Sequence, residues 1–513
     1  MRIVFNIGSS YTRFLVGIIA VFLLTPFILG VVGKEQFGLW ALCIAVTGVL
    51  GLLDMGLSTA TVKFVAECAG NSDYQARNEA ISTLLPVYAI LGGLCLLLVI
   101  TTTSVVVHQF RFDPRQTEVF GRIIIITGSA LAVALPLSVF RSALIGIGRF
   151  DLVNLVETVC ILINAVLVVT LLSSDWGLTG LAIANASIML AGPLILLPVA
   201  WRTIPEFRLS IGLIRLSRIG ELAPLAMYFL LANVALLVTL RSDALIIKGF
   251  LPLSAVAAYA IAAKISEYSY LLNKQFSNAL MPLIALSMGA GDQRTVRNVL
   301  VDGTRFLTII ATPLLGLLFF HAEHIINIWV GPDFEEVVLP LRILLVAVMF
   351  LTLQLNAANV LGMTGGHRGV AWIMTGSALF NILLSVLLIP RMGLAGAACS
   401  TLAAACLLEF GIMLSRACRK QSVSRFSMLQ SVLPVLLSAA PMLILAEWMN
   451  LHWPVSALSD LLLQGTIATL LYGFVVFFTG LQRHERIWLT NHIVRLFPRW
   501  PLRKEINEGN QHG

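Results

Sequence analysis

Three charged residues interrupt an apolar stretch of the chain at RSDALIIKGF (241–250). On a helix, Arg241 and Lys248 share a face because seven residues make about two turns, whereas Asp243 points about 200° away from Arg241. A cation in an apolar helix can bind an anionic group, and a buried carboxylate can exchange a proton or a metal cation. Lys248 also fits a side chain that extends to the membrane surface.

The next apolar stretch carries a polar stripe at helical spacing. Its members are Lys264, Glu267, Tyr268, Lys274 and Asn278. Lys264 and Glu267 can pair on adjacent turns, so a self-contained ion pair that only joins helices is one interpretation. Lys274 extends the stripe and has no carboxylate at matching spacing. The stripe therefore favours a binding role over a self-contained ion pair.

Other charges lie in separate apolar runs. Arg13 is close to one end of the first run, and Asp54 forms a polar face with Ser58 and Thr61. Glu157 and Glu409 are single carboxylates that fit helix-packing partners. The predicted substrate-binding residues are Arg13, Arg241, Lys248, Lys264, Tyr268, Lys274 and Asn278. The predicted ion-coupling candidates are Asp54, Asp243 and Glu267.

The composition indicates that these residues lie in a membrane. The chain is 58% hydrophobic and 12% charged, with a mean hydropathy of +0.92. Apolar runs of about 20 residues recur, and in hydrocarbon each must be a helix. We predict an all-α integral membrane protein whose first span is retained rather than cleaved. The fourteen predicted spans are 8–31, 37–61, 80–107, 121–146, 152–173, 178–201, 219–248, 253–285, 303–321, 336–362, 369–389, 393–415, 429–449 and 457–480.

Basic residues collect on one side when the loops are sorted alternately. That side receives both termini and most loop arginines, and the other side receives few basic residues and the acidic loop GPDFEE (331–336). The positive-inside rule makes the basic side cytoplasmic. This distribution explains the net charge of +8, so nucleic acid is not an expected partner. We predict a multi-pass membrane protein with both termini in the cytoplasm.

Cofactor and catalytic motifs are missing from the sequence. The seven cysteines form no CxxC pair, which favours buried free thiols over disulfides or a metal site. There is no HExxH, no phosphate-binding loop and no nucleophile elbow. We therefore expect no cofactor, no metal and no enzymatic activity.

An internal repeat organises the chain. NAVLVVTLLSSDWGLTGLAIANA (164–186) matches NILLSVLLIPRMGLAGAACSTLA (381–403) in an Asn, an apolar run and GL-x-G, and 30–42 matches 249–261. Six spans are duplicated, and six is even, so both copies keep one orientation. The predicted units are a six-helix lobe (1–201), a cytoplasmic linker (202–218), a second six-helix lobe (219–415), an added helix pair (416–480) and a basic cytoplasmic tail (481–513).

The segments 25–42, 52–67 and 242–265 resemble the polysaccharide-biosynthesis flippases of the multidrug/oligosaccharidyl-lipid/polysaccharide exporter superfamily. The resemblance runs from about residue 6 to 480. It implies two six-helix lobes around a central cavity. It also implies movement of undecaprenyl-diphosphate-linked oligosaccharide, for O-antigen, capsule or exopolysaccharide, from the cytoplasmic to the periplasmic leaflet. A polysaccharide polymerase and a chain-length regulator are the implied partners.

Two other transport functions stay open. A multidrug or cation antiporter of the same superfamily should have a cavity dominated by carboxylates, whereas these stripes are mainly basic. A flippase for the peptidoglycan lipid precursor needs nearly the same chemistry. A diphosphate needs cations to replace its hydration, and rocking of the two repeats is the expected motion.

Overall fold

The computed structural model describes residues 2–71, 73–110, 112–215, 241–453, 455, 457–482 and 485–486, and the single positions 217, 220, 227, 230 and 234. Nearly all of these residues are helical and none is in a strand, which confirms the all-α prediction. The first part of predicted span 7 and most of the basic tail lie outside them. All seven cysteines are free, as expected.

Six helices make up the first predicted lobe. They are α1 (Arg2–Leu50), α2 (Leu52–Gly70), α3 (Tyr74–Phe110), α4 (Pro114–Gly146), α5 (Phe150–Ser173) and α6 (Gly177–Thr203). α1 is bent at Gly33 and so contains one predicted span and the beginning of the next. The linker after α6 is held against α3, where Arg77 donates to the carbonyl of Pro205 and Asn78 to that of Glu206 at 2.7 Å.

The second half of the chain begins with α7 (241–250). The next helices are α8 (Leu253–Asn278), α9 (Met281–Gly289), α10 (Gln293–Asn298), α11 (Thr304–Phe320), α12 (Ala322–Trp329), α13 (Val338–Leu361), α14 (His367–Met392), α15 (Leu394–Ala404) and α16 (Ser415–Lys420). π-helical turns occur at Val299–Gly303, Gly362–Gly366 and Ala405–Leu414. The added pair consists of α17 (Arg425–Leu437) with α18 (Ala440–His452), and α19 (Leu458–Thr479).

Ten helical stretches within the described residues are long and apolar enough to cross a membrane. Two of them run across a bend: Pro332–Met392 contains two predicted spans, and Gly8–Leu50 contains one and the beginning of the next. α8 is not among the ten, and it carries the polar stripe that lowers its hydropathy. α7 is described only for its last ten residues. The ten stretches are therefore consistent with about fourteen membrane-spanning segments.

The repeated GL-x-G motif has the same structural role in both halves. Gly177 and Gly393 begin the turns into α6 and α15 with φ of 52° and 59°, a region that favours glycine. The second glycine packs against the preceding helix. A methyl group on Gly396 would lie 2.6 Å from the Leu388 carbonyl, and one on Gly180 would lie 2.7 Å from the Trp176 side chain. The motif therefore lets successive helices turn sharply and pack closely.

Among the described residues, the apolar core joins the two halves at one end. One cluster of buried residues includes α1 after its bend, α4, α6, α8 and α13, near the loops predicted to be periplasmic. At the opposite end the cores are separate. One lies among α2, α3, α4 and α6, and the other among α9, α10, α13, α14 and the segments after α15. The halves are thus packed together at the predicted periplasmic end.

Candidate functional site between the two halves

Arg241 lies where the two halves meet. Its guanidinium is 3.6 Å from the Glu267 carboxylate of α8, and both side chains are partly exposed. Across the interface, its aliphatic part lies about 3.7 Å from the position a methyl group on Gly48 of α1 would take. A bulkier residue at position 48 would press on Arg241. The arginine is therefore held by one half and faces the other.

Lys264 is one turn from Glu267, but it does not pair with it within 4 Å. Glu267 pairs instead with Arg241, because α7 presents the Arg241 guanidinium to this part of α8. The Lys264 ammonium instead reaches α1, with Thr25 Oγ1 at 3.4 Å and the Phe37 ring centroid at 5.8 Å. The predicted Lys264–Glu267 pair is thus replaced by contacts across the interface.

Tyr268 follows on the same face of α8. Its ring centroid is 6.2 Å from that of Phe22 in α1, and Phe22 is stacked on Trp329 of α12 at 4.6 Å. The Trp329 indole also donates to the Phe22 carbonyl at 2.8 Å. Aromatic surfaces therefore adjoin the cationic groups, an arrangement that suits sugar faces.

The remaining predicted residues of α7 and α8 are more dispersed. Lys248 lies over the ring of Phe112, 5.4 Å from its centroid, and so contacts the first half instead of extending free. Lys274 lies 5.9 Å from the centroid of Tyr270, two to three turns along α8 from Lys264. Asn278 is half-buried at the last position of α8. These three side chains are not in one cluster with Arg241.

Arg13 belongs to a charged group inside the first half. Its guanidinium is 2.5 Å from one oxygen of Glu157, and Arg141 donates to the other oxygen at 2.6 Å. One carboxylate thus serves two guanidinium groups and leaves one positive charge in excess. Glu157 is the packing partner that its isolated position in the sequence suggested.

Asp54 faces α4 through hydroxyl groups. It accepts a hydrogen bond from Ser138 at 3.0 Å, and one turn further on Ser58 shares a 2.8 Å hydrogen bond with Ser142. The predicted polar face of this helix is thus turned toward α4. No basic side chain among the described residues lies within 4 Å of the Asp54 carboxylate.

Asp243 is 5% exposed and points into the second half, away from Arg241, as its spacing predicted. Its carboxylate accepts from the Tyr259 hydroxyl at 2.5 Å and from Ser385 and Thr401 at 3.3 Å each. These donors lie on α8, α14 and α15. Beside them, the Oδ1 atom of buried Asn381 has no hydrogen-bond partner among the described residues. Carboxylate, hydroxyl and amide oxygens are ligands for hard cations.

A cavity of about 90 Å³ extends from Asp243 through the second half, with room for several water molecules. Glu267 and Glu409 line the same cavity, as do the rings of Tyr259 and Tyr270. Apolar side chains of α13 form the rest of its wall. The cavity therefore connects the interface carboxylate Glu267 with two buried carboxylates.

The predicted periplasmic end is closed by backbone contact and one ion pair. A methyl group on Gly38 of α1 would lie 1.9 Å from the Leu253 carbonyl of α8. These positions fall in the two repeat segments that match each other in sequence. Lys34 donates to the Asp333 carbonyl at 2.6 Å and is 3.1 Å from the Glu336 carboxylate. The acidic loop of one half thus receives a lysine from the other.

Sequence reasoning missed several of these partners. An asparagine in an apolar run favours a hydrogen bond between helices, and the Asn381 amide does donate to Ser400 and Thr401 of α15, at 3.4 and 3.1 Å. No feature of the sequence singles out Ser385 and Thr401 as partners of Asp243. Thr25 and Trp329 carried no charge pattern that would have singled them out. Their contacts with α7, α8 and α1 depend on the packing of helices far apart in the chain.

Comparisons with known proteins agree with this arrangement. Residues 31–339, more than half of the chain, match the family described as polysaccharide biosynthesis protein. The chain belongs to that family of membrane proteins. It is 23% identical over 342 residues to the uncharacterized membrane protein EpsK of Bacillus subtilis, covering 66% of this chain and 67% of EpsK. It is 25% identical to the probable flippase AglR of Haloferax volcanii over 48% of this chain and 51% of AglR.

Solved transporter structures share the fold at low sequence identity. The lipid II flippase MurJ in an inward closed conformation superposes with a TM-score of 0.70 at 15% identity, covering 92% of this chain and 98% of MurJ. An inward-facing multidrug-resistance transporter of the MATE family, in the MOP superfamily, gives 0.63 at 14% identity, over 83% of this chain and 96% of that one. The fold is that of a lipid-flippase and drug-exporter class of transporters.

Proposed function

We propose that this protein is a flippase that moves undecaprenyl-diphosphate-linked oligosaccharides from the cytoplasmic to the periplasmic leaflet. The observation that carries the proposal is the group at the interface, where Arg241 and Lys264 of the second half face α1 beside Tyr268 and Phe22. Cations replace the hydration of a diphosphate, and aromatic rings pack on sugars. The family and the transporter fold support the same function.

Glu267 is the proposed partner of Arg241 in the absence of substrate. At 3.6 Å from Arg241 it is a long ion pair, and it balances the guanidinium while no anion is bound. An entering diphosphate competes with Glu267 for Arg241. The positive charge of Lys264 also attracts it. The free carboxylate then lies at the mouth of the cavity in the second half.

Alternating access is the proposed motion. The halves share one core at the predicted periplasmic end and have separate cores at the other end, as an inward-facing transporter should. Under the positive-inside orientation, the lipid-linked sugar enters from the cytoplasm between the separate cores. The prenyl chain remains in the bilayer while the head group passes between the lobes.

We further propose that an ion gradient drives the cycle, with Asp243 as the principal cation site. Three hydroxyl groups contact its carboxylate, and Asn381, whose amide oxygen has no partner among the described residues, donates to one of them, that of Thr401. A monovalent cation there would neutralise a charge that has no cationic partner within 4 Å among the described side chains. Asp54 and Glu267 are the secondary candidates.

The test is surface polysaccharide in cells that depend on this protein. Replacing Arg241 and Lys264 with Ala removes two charge-assisted contacts, each worth roughly 1.5–3 kcal/mol. We expect surface polymer to fall below about a tenth of the wild-type amount at equal membrane level. Normal polymer from the double variant would disprove the site.

The matched control is Arg122→Ala. Arg122 is half-exposed on α4 and pairs only with Glu118 one turn away, so its loss should leave the polymer unchanged. Drug resistance in a pump-deficient strain would favour a multidrug exporter instead. Rescue of cells that lack their peptidoglycan lipid flippase would favour the lipid-precursor alternative.

A further inference from the structure

Glu409 is a buried carboxylate that the interface does not use. It is 8% exposed and lies in the π-helical segment Ala405–Leu414, between α13 and α14. Ser377 donates to its Oε1 at 2.9 Å and the Gln354 amide to its Oε2 at 3.3 Å. π-helical turns within α-helices frequently mark functional positions. Glu409 therefore differs from a carboxylate that only joins helices through an ion pair.

The charge of Glu409 is poorly compensated. No basic group of the described residues lies within 4 Å of its carboxylate, in contrast to Glu157 with its two arginines. The charged or titratable groups that face it are Lys274 and Tyr270, both on α8. α13 and α14 present only the neutral Gln354 and Ser377. An ionised carboxylate at this depth is costly, so a bound proton would stabilise it.

Gln354 can serve both forms of the carboxyl group. Its amide nitrogen faces the carboxylate, while its Oε1 atom is buried with no hydrogen-bond partner among the described residues. A rotation of the Gln354 amide group by about 180° exchanges its nitrogen and oxygen. Its Oε1 atom can then accept a hydrogen bond from a protonated Oε2 of Glu409. The ionised and neutral forms of Glu409 are thus both hydrogen-bonded, as a reversible proton site requires.

The donors around Glu409 suit a proton better than a metal cation. A hard cation takes several oxygen ligands, and here Ser377 supplies one hydroxyl oxygen and Gln354, after its amide turns, one more. Asp243, at another part of the same cavity, has three hydroxyl groups. The two buried carboxylates therefore differ in the ion that they favour.

We propose that Glu409 is a proton-binding site of the second lobe, ionised while the charge of Lys274 acts on it and neutral when Lys274 is engaged by an anion. The proton reaches Glu409 through water in the cavity shared with Glu267 and Asp243. The use of this proton site in transport rests on the proposed function, whereas the protonation of Glu409 itself does not.

Infrared difference spectroscopy of the purified protein in lipid vesicles, titrated across pH, tests the site. A neutral carboxyl group in an apolar site gives a carbonyl-stretch band that an ionised one lacks. We expect the wild type to show a band that disappears on raising the pH and that Glu409→Gln abolishes. Lys274→Met should keep the band to higher pH, because the ionised form loses its nearest cation.

Glu157→Gln is the control, since Glu157 pairs with two arginines outside this cavity and its loss should leave the band intact. If Glu409→Gln does not yield folded protein, Ser377→Ala should shift the band by removing the hydrogen bond to Oε1. Full retention of the band in Glu409→Gln, or an unshifted band in Ser377→Ala, would overturn the proton site. A lost band with normal lipid flipping would instead refute only its coupling to transport.

Discussion

At the residue scale, the carboxylate of Asp243 has hydroxyl donors on three helices but no cationic partner within 4 Å among the described residues. Asp243→Asn keeps an oxygen for the Tyr259 hydroxyl and removes the charge. A cation at 100 times its dissociation constant stabilises a protein by about 2.7 kcal/mol. We expect sodium chloride to raise the melting temperature of the wild type relative to choline chloride, and Asp243→Asn to lose that rise.

Asp292→Asn provides the comparison for this experiment. Asp292 caps the short helix α10 in a predicted cytoplasmic loop, where Thr295 donates to it. Loss of this exposed charge should leave the sodium effect unchanged. A sodium-dependent rise of equal size in Asp243→Asn would remove Asp243 from the coupling mechanism.

At the element scale, the contact of α1 with α8 closes the predicted periplasmic end. Gly38→Ala would place a methyl group 1.9 Å from the backbone carbonyl of Leu253, and backbone cannot move aside as a side chain does. Overpacking of this kind costs roughly 1–3 kcal/mol, so the ratio of closed to open molecules should fall by about fivefold or more. Spin labels at Arg115 and Glu335, one on each half, should report a longer distance in the variant.

Lys34→Ala separates steric closure from electrostatic closure. The Lys34–Glu336 pair is partly exposed, with side chains 26% and 49% accessible, so its loss should cost about 1 kcal/mol or less. We expect only a small change in the label distance. A larger opening in Lys34→Ala than in Gly38→Ala would show that the ion pair, and not the helix contact, holds this end closed.

The elements could be predicted from the sequence because their signals are local. Apolar length determines the spans, and GL-x-G marks the two turns where Gly177 and Gly393 adopt positive φ. The pairing of Arg241 with Glu267 could not be predicted in the same way. It depends on the register of α7 against α8, and helical periodicity within one span carries no information about that register.

The candidate site was predictable in part for the same reason. The direction of Asp243 follows from its angle to Arg241 on one helix. Its partners Ser385 and Thr401 are more than a hundred residues away, and their hydroxyl groups are ordinary features of apolar helices. The sequence shows that Arg13 is a cation in an apolar run, but its pairing with Glu157 depends on the packing of α1 against α5.

At the scale of the whole molecule, the described residues of the two lobes meet in one apolar core near the predicted periplasmic end. The cations of α7 and α8 lie at the interface that such lobes must open and close. Buried carboxylates lie behind them in the second lobe, along one cavity. The proposed substrate and ion sites are thus separate but joined through Glu267, which contacts Arg241 and lines the cavity.

The most direct test uses purified protein in vesicles with a fluorescent diphosphate-linked oligosaccharide lipid. The account predicts that the wild type moves this lipid between leaflets, that Arg241→Ala with Lys264→Ala reduces the rate at least about tenfold, and that Arg122→Ala does not. Movement of the diphosphate lipid by the double variant at the wild-type rate would contradict the account.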